Sequence, residues 1–292
     1  MSSSLDVFRR DARMRRRFLL FRNRGECGAR QPGAVRGHSR SGGAPRPVAD
    51  IADRRHGVGC DQLLLVEAPE QDDAQFRYRI FNANGREVEQ CGNGARCFAR
   101  FVRLKGLTQA ERIPVQTKAG RIELIIQDDG QVSVDMGRPR LEPEDIPFQA
   151  MVRAQRYALS IKGETVEIGA VSMGNPHAVM EVPNVDSAAV AKLGPQIEAH
   201  PRFPNHVNVG FMEVIDRSRI RLRVFERGVG ETLACGSGAC AAVVIGRNQG
   251  TLDETVTVEL RGGDLVVSWA GEHQPVLMTG PATFVFEGKI DL

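Results

Sequence analysis

The stretch Cys91-Gly-Asn-Gly-Ala-Arg-Cys97 occurs a second time, in altered form, as Cys235-Gly-Ser-Gly-Ala-Cys240. The cysteines that open the two stretches lie 144 residues apart (235 − 91), and each follows a polar turn and leads into a predicted helix. A repeat of this kind indicates an ancient duplication. We therefore predict two similar lobes about a pseudo-twofold axis, which would place the two thiols opposite each other.

The residues around the two stretches have the pattern of an α+β protein. In the first half we predict strands at 63–66 and 76–82, part of a helix at 97–104, and a hairpin of 121–127 with 131–136 around Asp129-Gly130. In the second half we predict strands near 178–182, 219–225, 256–260 and 264–269, and a helix of small residues from about 238 to 249.

Length and composition narrow the class of protein. A chain of 292 residues, 41% hydrophobic and 26% charged, fits one large or two ordinary globular domains. It contains no run of about 20 apolar residues, which argues against a membrane span, and its composition excludes collagen-like and wholly disordered chains. Six cysteines without a signal-peptide pattern favour a reducing compartment over a disulfide framework.

Each of the two cysteines is predicted at a helix start beside glycines. Free backbone N–H groups and the positive end of the helix dipole stabilise negative charge there, so a thiolate or a ligand carboxylate is favoured. If two such thiols face one carbon acid, one takes the α-proton as a thiolate and the other returns a proton to the opposite face. Because like groups in one cavity titrate together, one shared proton is the expected resting state. The chemistry predicted is inversion of a stereocentre without a cofactor.

Other kinds of site fit the sequence less well. Spacings of C-x5-C and C-x4-C, without C-x2-C or H-E-x-x-H, do not indicate zinc. Gly236-Ser-Gly-Ala-Cys-Ala241 satisfies a dinucleotide-binding pattern, but no apolar strand precedes it. No lysine has the setting of a pyridoxal Schiff base. Cys27, Cys60, Cys97 and Cys240 are interpreted as core residues.

Several polar residues are candidates for contacts with a small charged ligand, and each has a structural alternative. Asn175 and His177 lie in a predicted turn, where a structural role for the histidine is about as expected as a site role. Glu226 and Arg227 end a predicted strand, where they either hold an ammonium and a carboxylate or form a surface ion pair. Further amide donors and acceptors are offered by Asn82, Asn84 and Asn208.

These motifs together resemble the diaminopimelate epimerase family. The matching text consists of Gly57-Val-Gly-Cys-Asp-Gln62, Tyr78-Arg-Ile-Phe-Asn82, Glu89 to Phe101, Met173-Gly-Asn-Pro-His177, Phe203 with Asn208, and Glu226 to Cys240. The resemblance covers about residues 50–292. It implies interconversion of LL- and meso-2,6-diaminopimelate for lysine and peptidoglycan synthesis, without cofactor or metal, by a cytoplasmic homodimer that has no nucleic-acid or membrane partner.

The resemblance also implies roles for particular residues and an architecture. Cys91 and Cys235 correspond to the acid/base pair, and His177 and Glu226 to residues that tune the thiols. The residues that correspond to substrate contacts are Gln62, Asn82, Gly92, Asn93, Asn175, Asn208, Glu226, Arg227, Gly236 and Ser237. The fold implied is α/β of the α+β type, with two pseudo-symmetric lobes, each a curled mixed sheet around a central helix. We expect the N-terminal lobe at 48–135 plus 281–292 and the C-terminal lobe at 136–280.

The chain departs from the family pattern in three places. The Gly-Leu-Gly-Asn-Asp-Phe motif expected near the start, whose Asn contacts substrate, is missing from residues 1–47. Cys60 stands where the family has Phe, and Phe286 where a dimer-linked Tyr is expected. The missing motif leaves an inactive homologue as one alternative, and a racemase of another amino acid, of proline or hydroxyproline type, as a second.

The N-terminal segment is also unusual in charge. Residues 1–50 hold 12 Arg, no Lys and four acids, a balance of 12 − 4 = +8, so the remainder carries 3 − 8 = −5. Such an arm can bind nucleic acid, but it lacks interleaved aromatic residues and the body is acidic, which makes this a remote alternative. We expect little packed structure in 1–47, and we interpret its composition as that of a frameshifted or misassigned start.

Overall fold

The computed structural model describes residues 17–21, 26–27, 48–70, 72–88, 91–118 and 120–284, the first two of these ranges by their backbone alone. The chain divides into two compact units. The first ends at Val132 and takes in the residues from Pro281 onward, and the second comprises Ser133–Gly280. None of the described helices is both long and apolar enough to span a bilayer.

The first unit is built on a mixed sheet with one long helix. Its elements are β1 (Arg17–Phe21), β2 (Glu26–Cys27), α1 (Val48–Ala52), β3 (Gln62–Glu67), β4 (Phe76–Asn82), β5 (Glu87–Val88), α2 (Gly92–Leu104), β6 (Arg112–Thr117) and β7 (Gly120–Ile126). The strand order is β1-β3-β4-β6-β7, with β5 beside β4. All pairs are antiparallel except β4 with β6. The helix α2 packs against β3 and β7.

The second unit has the larger sheet. Its elements are β8 (Val132–Asp135), a 3-10 turn (Pro143–Asp145), β9 (Tyr157–Ile161), β10 (Glu164–Ser172), β11 (Pro176–Glu181), α3 (Val190–Glu198), β12 (Asn208–Asp216), β13 (Arg219–Glu226), β14 (Gly230–Thr232), α4 (Gly236–Asn248), β15 (Thr255–Leu260), β16 (Gly263–Trp269) and β17 (Val276–Gly280). The order is β8-β17-β16-β15-β13-β12-β11-β10-β9, with β14 beside β13. A last strand, β18 (Thr283–Phe284), belongs to the first unit and pairs with β2.

The sheet of the second unit curls around α4. This helix contacts β10, β11, β12, β13, β16 and β17, and nearly all of its residues are buried. The fit is close: a Cβ on Gly169 of β10 would lie 2.4 Å from Ile245 of α4, so only glycine leaves room there. The predicted α+β class, with a curled mixed sheet around a central helix, is confirmed.

The two long helices α2 and α4 share their length and their caps. Each has 13 residues and follows an N-cap cysteine in extended conformation. Each ends in the same way, with a glycine in the left-handed region, Gly106 (φ +62°) or Gly250 (φ +76°), and a 6→1 backbone hydrogen bond, Leu107 N–H to Val102 O or Thr251 N–H to Gly246 O. The repeat in the sequence is thus a repeat in local structure.

Part of the N-terminal segment differs from the expectation of little packed structure. Residues Arg17–Phe21 form β1, which pairs antiparallel with β3, Leu19 lying opposite Leu64. The physical reason is the apolar, aromatic run Phe18-Leu-Leu-Phe21, which favours a strand. The rest of residues 1–47, apart from β2, lies outside the described residues, as do Phe286 and the side chain of Cys27.

Candidate active site

Cys91 marks the start of α2 in the first unit. Its backbone is extended (φ −145°, ψ 115°), and the helix turns immediately after it through the buried residues Gly92, Asn93 and Gly94. The N–H groups of a first helical turn have no intrahelical acceptor, so they can bind a carboxylate. The thiol therefore lies beside a site suited to an anion.

Two amide side chains of the first unit converge near Cys91. Gln62 and Asn82 face each other across β3 and β4, and Gln62 Nε2 donates to Asn82 Oδ1 over 3.0 Å. Gln62 Oε1 and Cys91 Cβ each lie 3.7 Å from the Cβ position of Gly94. Gln62 Oε1 is buried and has no hydrogen-bond partner in the described part of the chain, so it is available to a donor on a ligand.

Cys235 marks the start of α4 in the second unit, in nearly the same backbone conformation (φ −131°, ψ 109°). The residue is 6% exposed, and its Sγ lies 3.6 Å from the hydroxyl of Ser237. A Cβ on Gly238 would lie 3.3 Å from Cys235 Sγ and 3.0 Å from Val224. The helix start, the thiol and β13 are therefore closely packed, and a side chain at position 238 would press on Val224 and on Cys235 Sγ.

Glu226 contacts the thiol of Cys235. Burial raises the pKa of Glu226, against hydrogen bonds from the hydroxyl of Thr232 and from Cys235 that lower it. Burial and then the charge of Glu226 raise the pKa of Cys235 well above its usual value, against bonds from Ser237 and the backbone at Gly238. The two groups are therefore coupled, and the ligand-free site favours a neutral thiol at Cys235.

His177 belongs to a chain of polar contacts that reaches Cys235. Its Nε2 lies 3.1 Å from Asn175 Oδ1, and Asn175 Nδ2 donates to Ser237 Oγ over 3.5 Å. The residue is 1% exposed, and burial, followed by the charge of Arg227, lowers the pKa of His177 to about 3. His177 is thus a neutral imidazole that orients Asn175, and it adds no positive charge beside the thiol.

Asn208 and Arg227 are joined through the backbone. Asn208 Nδ2 donates to Pro176 O over 2.9 Å, and its Oδ1 accepts the Arg227 N–H at 3.0 Å. The exposed guanidinium of Arg227 donates to Asn205 O over 3.0 Å. Among the described residues it has no carboxylate partner, so its charge is open to an acidic ligand.

The predicted site residues thus gather around one cysteine in each unit. The first unit brings together Gln62, Asn82, Cys91, Gly92 and Asn93, and the second brings together Asn175, His177, Asn208, Glu226, Arg227, Cys235, Gly236 and Ser237. The sequence analysis does not name Thr232, whose hydroxyl donates a hydrogen bond to Glu226. Its position within the motif that begins at Glu226 could have identified it. No cluster of three potential metal ligands occurs in the described ranges.

Comparisons with known proteins agree with the motifs. The sequence profile described as Diaminopimelate epimerase matches residues 41–142 and 169–285. The diaminopimelate epimerase of Thioalkalivibrio sulfidiphilus is 66% identical over 251 residues, 85% of this chain and 90% of that one. The diaminopimelate epimerase of Pseudomonas syringae pv. tomato is 60% identical over 248 residues, with the same coverage.

Solved structures show the same fold in more distant proteins. A hydroxyproline epimerase from Agrobacterium vitis has a TM-score of 0.61 at 15% identity, covering 84% of this chain and 80% of that one. A PhzF-family phenazine biosynthesis protein from Bacillus anthracis has a TM-score of 0.58 at 18% identity, covering 80% and 85%. Identities this low speak for the fold alone. The profile match and the relatives with 60–66% sequence identity show the family. This chain belongs to the diaminopimelate epimerases.

Proposed function

We propose that this chain interconverts LL- and meso-2,6-diaminopimelate, with Cys91 and Cys235 as the acid/base pair. The observation that carries the proposal is the matched pair of helices. Each is 13 residues long, begins at a cysteine followed by glycine, and presents the N–H groups of its first turn beside the thiol.

The proton balance of the reaction is simple. One cysteine, as a thiolate, takes the α-proton and becomes a thiol, and the other thiol gives its proton to the opposite face of the carbanion and becomes the thiolate. The charge of the carbanion spreads into the α-carboxylate, which the helix N–H groups stabilise. The loss of one well-placed donor of this kind raises a barrier by roughly 3–4 kcal/mol.

The other residues of the site have supporting roles in this proposal. Gln62 and Asn82 offer amide groups beside Cys91, and the amide of Asn175 and the hydroxyl of Ser237 lie on the side of Cys235. Burial, and then the charge of Glu226, raise the pKa of Cys235 and keep its thiol protonated until substrate binds. Arg227, whose charge has no acidic partner among the described residues, binds the distal carboxylate, which selects a substrate with two amino-acid ends.

Deuterium exchange tests the proposal. The wild type is incubated with LL-diaminopimelate in D2O, and we expect the meso product with deuterium at one Cα. Cys91→Ser and Cys235→Ser should each abolish formation of the meso product, since inversion needs both thiols and a hydroxyl at either position is a far weaker acid. Proline and hydroxyproline are the comparison substrates. A folded wild type that exchanges proline but not diaminopimelate, or neither, contradicts the proposal.

We also propose that the enzyme is a homodimer that acts in the cytoplasm on this small molecule, without a nucleic-acid or membrane partner. The support is the family resemblance, since related epimerases are expected to pair in this way. Sedimentation equilibrium should give about twice the chain mass of 32.0 kDa. A monomer that retains full epimerase activity contradicts the dimer.

A further inference from the structure

The helix α3 packs directly on the strand end that carries Glu226 and Arg227. A Cβ on Gly194 would lie 2.6 Å from Cγ of the Phe225 ring, so the helix backbone rests against that ring. One turn later, Glu198 Oε1 accepts the Gly228 N–H at 2.7 Å. Because residues four apart share one face of a helix, the same face of α3 holds the chain on both sides of Glu226-Arg227.

From this geometry we propose that Glu198 is a positioning residue, which fixes the turn after Glu226 so that Arg227 is presented to the substrate carboxylate. The inference rests on the proposed function, because it assigns Arg227 to substrate binding. Glu198 itself acts through the backbone of Gly228.

The turn joins β13 to β14 and is closed by its own backbone contacts, since Val229 N–H donates to Glu226 O over 3.1 Å and Glu226 pairs with Gly230. Gly228 and Gly230 both adopt left-handed conformations (φ +71° and +96°), and the tip residue Val229 is exposed. Glycine loses more conformational freedom on ordering than any other residue, so a contact from outside adds to the order that the hairpin already has. A hydrogen bond to an ionised carboxylate is among the stronger contacts that can order it.

The segment that follows α3 also holds Arg227 in place. Val207 N–H donates to the Glu198 carbonyl over 3.2 Å, which ties the segment to the end of the helix. From this segment Asn205 O accepts the Arg227 guanidinium and Asn208 Oδ1 accepts the Arg227 N–H, each at 3.0 Å. Arg227 and Gly228 are therefore held at three points that all derive from residues 198–208.

The chemistry of these contacts explains why a carboxylate serves here. The Glu198 carboxylate accepts a hydrogen bond from the N–H of Gly228, and it forms no ion pair with Arg227. The arginine is thus fixed by neutral carbonyl and amide oxygens, while its positive charge is left for the ligand. A carboxylate paired directly with the guanidinium would compete with the substrate for the same donors.

The test compares Glu198→Ala with Glu198→Gln, which keeps an acceptor oxygen. Glu164→Ala is the matched control, because Glu164 is an exposed residue of the same unit at the start of β10. Two quantities are measured on the full chain. One is the pair kcat and KM for diaminopimelate, and the other is the amide hydrogen exchange of residues 226–230 without ligand.

For Glu198→Ala we expect KM to rise about 10-fold with little change in kcat, and exchange in 226–230 to be about 10-fold faster, the size expected for one lost bond to a charged group. Glu198→Gln should return both values most of the way to wild type, and Glu164→Ala should match wild type. An unchanged KM in Glu198→Ala, or a glutamine variant as defective as the alanine variant, overturns the inference. A wild type without epimerase activity overturns the proposed function instead, and the exchange comparison then still decides whether Glu198 holds the turn.

Discussion

His177 is a buried imidazole whose pKa is lowered to about 3, first by burial and then by the charge of Arg227. In the unfolded chain the pKa of a histidine is near its ordinary value of 6.5. As the pH falls from 6.5 toward 3, the unfolded state therefore binds a proton that the folded state does not. This linkage lowers the stability of the fold by up to about 1.4 kcal/mol per pH unit in that window.

His177→Gln should remove this acid sensitivity. Between pH 6 and pH 4 we expect the free energy of unfolding of the wild type to fall relative to the variant by about 1.4 kcal/mol per pH unit. The raised pKa of Glu226 has the opposite effect, because it increases the stability of the fold as the pH falls. Both proteins contain Glu226, so its contribution cancels in the difference between their free energies of unfolding. Urea unfolding followed by the fluorescence of Trp269, the single tryptophan, reports on this unit. A difference that does not vary with pH contradicts the assignment.

At the scale of elements, the sequence pattern predicts several strands and the helices α2 and α4, but it does not predict α3. The strand at Phe76–Asn82 is confirmed with its bounds, because its buried residues alternate and an Asn-Gly turn follows. The periodic pattern indicates only part of α2, residues 97–104, because two glycines in its first turn lower helix propensity, whereas the predicted helix start at Cys91 agrees with the N-cap position of that residue. The α3 helix was missed because Gly194 and Pro195 lie inside it. Its contacts with Phe225 and Gly228 are non-local, so no local pattern could have shown them.

The packing of α3 gives a prediction about Gly194. Alanine in place of a helical glycine ordinarily stabilises a helix by about 1 kcal/mol. Here the added Cβ would lie 2.6 Å from the Phe225 ring, so Gly194→Ala should instead lower the free energy of unfolding by about 1–3 kcal/mol. The measurement is urea unfolding read by Trp269 fluorescence.

A double-mutant cycle is the control for this prediction. Phe225→Leu removes the ring, so Gly194→Ala should cost less in that background, with a coupling of about 1 kcal/mol. Equal costs in the two backgrounds would show that the ring is not the cause. A stabilising effect of Gly194→Ala in the wild type would show that α3 does not rest on Phe225.

At the scale of the whole molecule, the two units repeat one design. In each, a strand, a polar turn and an N-cap cysteine lead into a buried 13-residue helix that ends at a left-handed glycine. This much follows from the sequence, because the two stretches around Cys91 and Cys235 are alike. The polar surroundings of the thiols differ: Gln62 and Asn82 lie beside one, and Glu226 and Ser237 beside the other. Ser237 lies in the first turn of α4 itself, but Gln62, Asn82 and Glu226 come from strands, so their contacts required the structure.

The N-terminal segment contacts the strand that carries Gln62, one of the residues near Cys91, through β1. This strand covers one edge of β3, where Phe21 pairs with Gln62, whose side chain bonds Asn82 near Cys91. Removing residues 1–24 would leave that edge unpaired. We therefore expect faster amide exchange in 62–67, a lower melting temperature, and a higher KM for diaminopimelate. Removing only residues 1–15 keeps β1 and is the matched control. If the two truncated chains show the same exchange in 62–67 as the full chain, β1 does not support β3, and the stretch Phe18-Leu-Leu-Phe21 has no part in the site.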